Sequence, residues 1–236
     1  MLTLWLAGIV VLVGAFVQGA AGYGLNVLAG SLLALIDPSF IPVPTLMLAA
    51  VPAALAVIRE WEHVRWREIR WAMAGRVVGN LLGIGIFLLL PERQVSLFLG
   101  VVILLLVGMS VIKLDIQVTP RNLVIAGVAS GASGTSATIG GPPIGLVYQN
   151  QSGPTVRSNL GLFFVFGSFS SLALLALAGK VHTHHWIQAA ELLPFLAAGW
   201  LLSYPLRRYL DAGKVKGAIL TIAAVAAVVL IGRTLL

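Results

Sequence analysis

The residues with most to offer a ligand stand in two glycine-rich breaks, not in a cluster of acids and bases. The first break holds Gln18, Gly19, Gly22, Tyr23, Gly24 and Asn26. The second reads GASGTSATIGGPP from Gly131 to Pro143; with Ser130 before it, it supplies Ser133, Gly134, Thr135, Ser136, Thr138, Gly140, Gly141 and Pro142. Hydroxyls and amides without fixed charge, set among glycines, suit a small anion. Glycine lets a ligand approach the backbone, and a helix that starts after such a break offers free N–H groups and a positive dipole end. Tyr148 and Arg157 follow and add a phenol and a cation. The competing reading is that Gly and Ser only allow helices to pack closely in a membrane. Packing alone does not explain why the break occurs twice.

The elements that must carry these breaks are apolar. The chain has 236 residues, 59% hydrophobic and 10% charged, with a mean hydropathy of +1.00. A soluble domain carries about 25% charged residues, so this composition is that of an integral membrane protein. The formal charge of +7 is too sparsely distributed for a nucleic-acid footprint and reads as topology-setting Lys and Arg. There is no cysteine, which excludes disulfides, thiolate catalysis and Cys-ligated metal. The first residues, MLTLWLAGIVVLVGAFVQGAAG, lack the basic segment of a signal peptide and are kept in the fold. Nothing resembles a nucleotide-binding loop, and no cofactor or metal is expected.

Apolar stretches run over 41–58, 72–90, 95–112, 156–178, 187–206 and 215–232, each long enough to cross a bilayer when its ends are extended. Those at 4–17, 25–36, 121–130 and 142–150 read as too short and come in pairs around the two breaks. Each pair is expected to form a re-entrant hairpin, because non-helical backbone survives in lipid only where protein or a cavity surrounds it. Glycine and proline are poor helix formers, so the run from Gly131 to Pro143 is expected to interrupt its helix throughout. The breaks align at an offset of 112; Trp66 then falls on Trp186 and Gly79 on Gly199 at an offset of 120, and Leu90–Val95 meets Leu210–Val215. The fold class is therefore an all-α polytopic membrane protein of eight hydrophobic units. It comprises two repeats, 1–118 and 119–236, each a glycine-broken hairpin followed by three transmembrane helices.

Charge asymmetry bears on the hairpins. If both return to the side they enter, one face receives Arg59, Arg65, Arg67, Arg70, Lys113, Arg121, Arg157, Arg207, Arg208, Lys214 and Lys216. The other receives Arg93, Lys180 and Arg233, a division of 11 against 3 with Arg76 left inside the membrane. If every unit crosses, the same residues divide 8 against 6. Basic residues favour the cytoplasmic side, so the hairpins are expected to return. The repeats are then inverted, since three crossings is an odd number, and both termini lie outside. Trp61, Trp66 and Trp71 stand with the basic cluster, where an interfacial belt belongs.

Gly140-Gly141-Pro142-Pro143, then Tyr148, then Arg157 with Leu160 and Phe163-Phe164, together with Gln18-Gly19 and Gly22-Tyr23-Gly24, resemble the TauE/SafE family of membrane transporters. The resemblance covers nearly the whole chain. It implies a multi-pass protein of the cell (inner) membrane that exports or takes up sulfite, sulfonates or related sulfur-containing organic anions. The expectation is a secondary transporter working by alternating access, coupled to a proton or ion or driven by a gradient. Its partners are a small anion and the lipid bilayer, with no nucleic acid and no enzyme activity.

The charged residues inside the apolar stretches are weighed singly. Arg76 lies within a membrane helix, where ionisable groups are costly and often functional, but it is near enough to the helix start to snorkel to the headgroups. Glu191 can pair with it or carry a coupling proton; the blander reading is an interfacial carboxylate. Asn80 reads as an interhelical hydrogen bond, and Gly75, Gly79 and Gly83 as a packing face. His182, His184 and His185 read as solvated loop histidines, and WEHVRWREIRW as a membrane-surface element. Two other classes compete. Gly131-Ala132-Ser133-Gly134 fits the GxSG motif of rhomboid-like intramembrane proteases, but no histidine lies in a spanning segment to activate the serine. A membrane scaffold subunit explains the hydropathy but not the duplicated breaks.

Overall fold

The computed structural model describes residues 2–21, 24–90, 92–111, 116–206, 221–229 and 231–232. Gly22 and Tyr23, the basic residues at Lys113 and 207–216, Arg233, the Arg93 side chain and the Leu210–Val215 end of the repeat lie outside the described residues. The chain is all-helical there: α1 Leu2–Ala21, α2 Leu25–Ile36, α3 Val43–Arg59, α4 Trp66–Leu89, α5 Glu92–Val111, α6 Pro120–Ala137, α7 Gly141–Tyr148, α8 Gly153–Leu177 and α9 Thr183–Leu206. Residues 221–229 and 231–232 are also helical. Four helices have the length and apolar character to cross a membrane, over Leu2–Ala20, Trp66–Leu89, Gly153–Leu177 and Thr183–Pro205. Large apolar side chains such as Leu81, Leu82, Leu201 and Leu202 face outward, while Asn80, Thr135, Asn159 and Ser171 are buried. That is the distribution lipid requires.

The limbs of the two breaks differ from expectation. Helix α1 has 20 residues and α6 has 18, about 30 and 27 Å at 1.5 Å per residue. Each break thus joins a long first helix to a short second one, 12 residues in α2 and 8 in α7. The interruption expected from Gly131 to Pro143 is also too wide, for α6 stays helical through Ala137 and only 138–140 break it. Packing on α4 offsets the cost of about 1 kcal/mol per glycine, and the serines are satisfied inside the helix. Ser133 and Ser136 donate their hydroxyls to the carbonyls of Ala129 and Ala132 one turn back. The glycines, meanwhile, face another backbone: a Cβ on Gly131 would lie 2.7 Å from the Arg76 carbonyl oxygen. The expected surface element divides too, into a short 3-10 turn at Trp61–His63 and the first turn of α4.

Helix α4 packs along α6, α1 along α9, and α3 against α8. Close approach is needed at Gly79, where a Cβ would meet the Val128 carbonyl oxygen, and at Gly199, where it would meet that of Leu12. At one end of the molecule Glu60, just after α3, binds Arg157 at the start of α8, and Asn159 accepts from the Arg65 N–H at 3.0 Å. At another, Gln188 near the start of α9 donates to Ser39 Oγ at 2.9 Å.

Candidate functional site

The two breaks meet. Gln18, Gly24, Asn26 and Val27 from the first, Gly141 from the second, and Ala49 and Phe164 beside them enclose one small cavity. The start of α2 is fixed by Gln18, whose Oε1 accepts the Leu25 N–H at 3.3 Å, and by Gly24, whose φ of 134° suits glycine. The start of α7 is fixed by Pro142 in its first turn and by Thr138, which ends α6 in a left-handed conformation with φ 62°. A β-branched residue at positive φ is uncommon. Its hydroxyl packs so tightly on α2 that a Cβ on Gly30 would lie 2.8 Å from Thr138 Oγ1. Two helix N-termini, with their positive dipole ends, therefore border the same cavity, although Pro142 and Pro143 carry no N–H and the Leu25 N–H is already bound by Gln18.

Behind the second break lies Arg76. It does not snorkel: the residue is 2% exposed. Its Nε donates to Asn80 Oδ1 at 3.0 Å, and its Cζ sits 4.9 Å from the centre of the Phe163 ring. Added Cβ atoms on Gly134, Gly140 and Gly167 would fall 2.7, 2.8 and 2.5 Å from guanidinium atoms, so three glycines make its room. Asn80 also accepts from Thr135 Oγ1 at 3.1 Å and donates to Ser170 Oγ at 2.6 Å, while Thr135 and Ser171 share a hydroxyl contact at 2.8 Å. The expected partner is not there. Glu191 is exposed on α9, and the ion pairs among the described residues are Arg59–Glu60, Arg65–Glu68 and Arg157–Glu60.

Three buried polar atoms near the second break have no hydrogen-bond partner, Ser130 Oγ, Thr138 Oγ1 and Arg76 Nη1; Asn26 Oδ1 across the cavity and Tyr148 Oη at the far end of α7 have none either. Leaving such a group unpaired costs about 1–3 kcal/mol; Glu68 Oε2 and Gln188 Oε1 are unpaired elsewhere. The cavity measures about 10 Å³, room for about one water. A larger apolar groove near Met109, Ile125 and Pro143 offers only Asn122 as a polar lining residue, and Asn122 Nδ2 already donates to the Gln117 carbonyl.

The expected site residues thus divide. Gln18, Gly24, Asn26 and Gly141 line the cavity; Gly134 and Gly140 pack on the Arg76 guanidinium, Gly140 also on the Ser130 carbonyl, Thr135 bonds Asn80 and Ser171, and Thr138 packs on Gly30; Gly19 packs on Ser203 and Trp200 of α9. Ser133 and Ser136 use their hydroxyls within α6. Tyr148 is buried among Ile69, Leu123 and Leu160. Arg157, expected as a substrate contact, is held by Glu60 through Nε at 2.9 Å and Nη2 at 2.8 Å. At the start of α9 the His182 and His184 rings stack and the His185 ring tilts against both, with His185 Nδ1 accepting the His182 N–H. Sequence reasoning passed over Gly167, Ser170 and Ser171 and used Phe163 only for the family resemblance; the signal was a run of hydroxyls in an otherwise apolar spanning helix.

A family model described as Sulfite exporter TauE/SafE matches residues 6–230. No curated protein and no solved structure matches the chain.

Proposed function

The chain belongs to the Sulfite exporter TauE/SafE family, and from that premise we propose that it is a secondary transporter of small sulfur-containing anions whose site is the cavity between the two hairpin tips. The observation that carries this reading is the convergence of two helix N-termini on one small cavity that Gln18 and Asn26 also line, the arrangement that binds anions in discontinuous-helix transporters. An oxyanion is larger than the single water the cavity admits, so the tips must part to take it in and close to release it on the other face. Alternating access supplies that motion, with 1–118 moving against 119–236. Nothing in the site calls for nucleotide, so the drive is a substrate, proton or ion gradient.

Re-entrant, inverted repeats in the cell membrane are part of the proposal. Two contacts support them. Glu60 with Arg157, and Ser39 with Gln188, join segments that lie on one face if the hairpins return and on opposite faces if every unit crosses. The reciprocal pairing of α4 with α6 and of α9 with α1 fits a two-fold exchange between halves. Both termini then lie outside.

Initial-rate flux in proteoliposomes tests the function, using sulfite, thiosulfate, sulfonates and carboxylates with and without a proton gradient. Saturable flux of a sulfur anion is the expected result; folded protein that carries none of them overturns the reading. Since the chain has no cysteine, single cysteines at Ser39 and Ser152 test the topology. Ser39 should label from outside and Ser152 from inside, and labelling of both from one face refutes the hairpins.

A further inference from the structure

The charge balance of the site is unusual. Among the described residues Arg76 is the one buried Lys, Arg, Asp or Glu. The helices packed on α4 are α6 and α8, with α7 beyond α6. Their charged or titratable side chains are Arg121 on α6, Tyr148 on α7 and Arg157 on α8, and on α4 itself Arg67, Glu68 and Arg70. None makes an ion pair or hydrogen bond with the Arg76 guanidinium. What the protein offers instead is neutral: an amide oxygen on Nε and the face of Phe163 under Cζ, with Nη1 left unpaired.

The guanidinium is also close to the cavity. Gly140, whose added Cβ would lie 2.8 Å from Nη1, directly precedes Gly141 of the cavity wall. Phe163, which carries the cation on its ring, is 5.8 Å ring to ring from Phe164, which lines the cavity. A buried charge is weakly screened, and an uncompensated one is strongly unfavourable. One negative charge at the tips brings the buried total to zero. A second negative charge leaves a net charge in the membrane interior again.

We propose that Arg76, behind the second hairpin tip, is the single fixed counter-charge of the site and restricts it to singly charged oxyanions, a sulfonate or hydrogensulfite, over dianions. This rests on the transporter reading and adds the charge state of the substrate. Sulfite is then carried as the protonated monoanion, so its pH dependence is its own and not that of a protein carboxylate.

The test uses the full-length protein in proteoliposomes with equal pH on both sides and the voltage held at zero. Three probes are compared: methanesulfonate, always a monoanion; sulfite, which loses its second proton near neutral pH; and sulfate, a dianion. Methanesulfonate flux should change by less than about twofold across neutral pH, while sulfite flux falls about tenfold for each pH unit above sulfite's own pKa. Sulfate should run at less than about a tenth of the methanesulfonate rate. Arg76→Gln should lose about 30-fold in methanesulfonate flux, and Arg76→Lys should keep it within about threefold of the parent. Sulfite flux that is flat or rises with pH, sulfate carried as fast as methanesulfonate, or an undiminished Arg76→Gln each overturns the inference and leaves the transporter reading standing. Parent protein that carries none of the three, nor any other sulfur anion, overturns both. The parent's pH profile decides the matter even if the variants fail to fold.

Discussion

The contact between α4 and α6 and the contact between α9 and α1 each close on a glycine, Gly79 and Gly199, yet they are built differently. At the offset of 120, Gly79 matches Gly199, Arg76 matches Leu196 and Asn80 matches Trp200. Both glycines press against a carbonyl oxygen of the facing helix. Around Gly79 lies the Arg76–Asn80–Thr135–Ser171 network; around Gly199 lie Leu196, 2% exposed, and Trp200, whose ring faces the Arg59 guanidinium at 5.2 Å. The backbone approach is common to both contacts and the polar content is not. Scaffold and charge are therefore separable, and each can be attacked without the other.

The largest effect should come from the shared feature. Gly79→Leu and Gly199→Leu each force a side chain against backbone, and overpacking of about 3 kcal/mol or more should remove most monodisperse protein from size-exclusion profiles in both cases. Collapse of only one would show that the two contacts are not equivalent. Next comes the unshared feature. Asn80→Leu strips an acceptor from Arg76 and Thr135 and should cost about 2 kcal/mol in thermal unfolding. Adding Arg76→Leu to it rebuilds the apolar character of the α9 side, and stability should return to within about 1 kcal/mol of the parent while anion flux is lost. The smallest effect concerns the links at the two ends. Glu60→Gln loosens a half-buried ion pair and should cost about 1 kcal/mol, less at high salt, whereas Gln188→Ala breaks a neutral link and should show no salt dependence.

Fold class and the two breaks were legible in hydropathy and in the glycine spacing, because both are set by what lipid tolerates. The lengths of the limbs were not. Propensity counts Gly131, Ser133 and Ser136 against a helix, but packing of Gly131 on the α4 backbone outweighs that count, and the two serine hydroxyls find their partners within α6. Arg76 was legible as costly but not as buried, since its neighbours in sequence do not reveal that Gly134, Gly140 and Gly167 leave room for a guanidinium. Arg157 illustrates the converse. Its place beside the second break suggested a ligand contact, and only the fold brings Glu60, 97 residues away, against it.

The network around Arg76 also imposes an order on how the protein is made. Helix α4 leaves the ribosome before Thr135, Phe163, Gly167, Ser170 and Ser171 exist, and these are the residues that accommodate its arginine and asparagine. Inserting an arginine at the middle of a lone helix costs about 2.5–3.5 kcal/mol. A nascent chain ending before α6 therefore carries an α4 that is poorly held in lipid, and synthesis of the second half completes the insertion of the first.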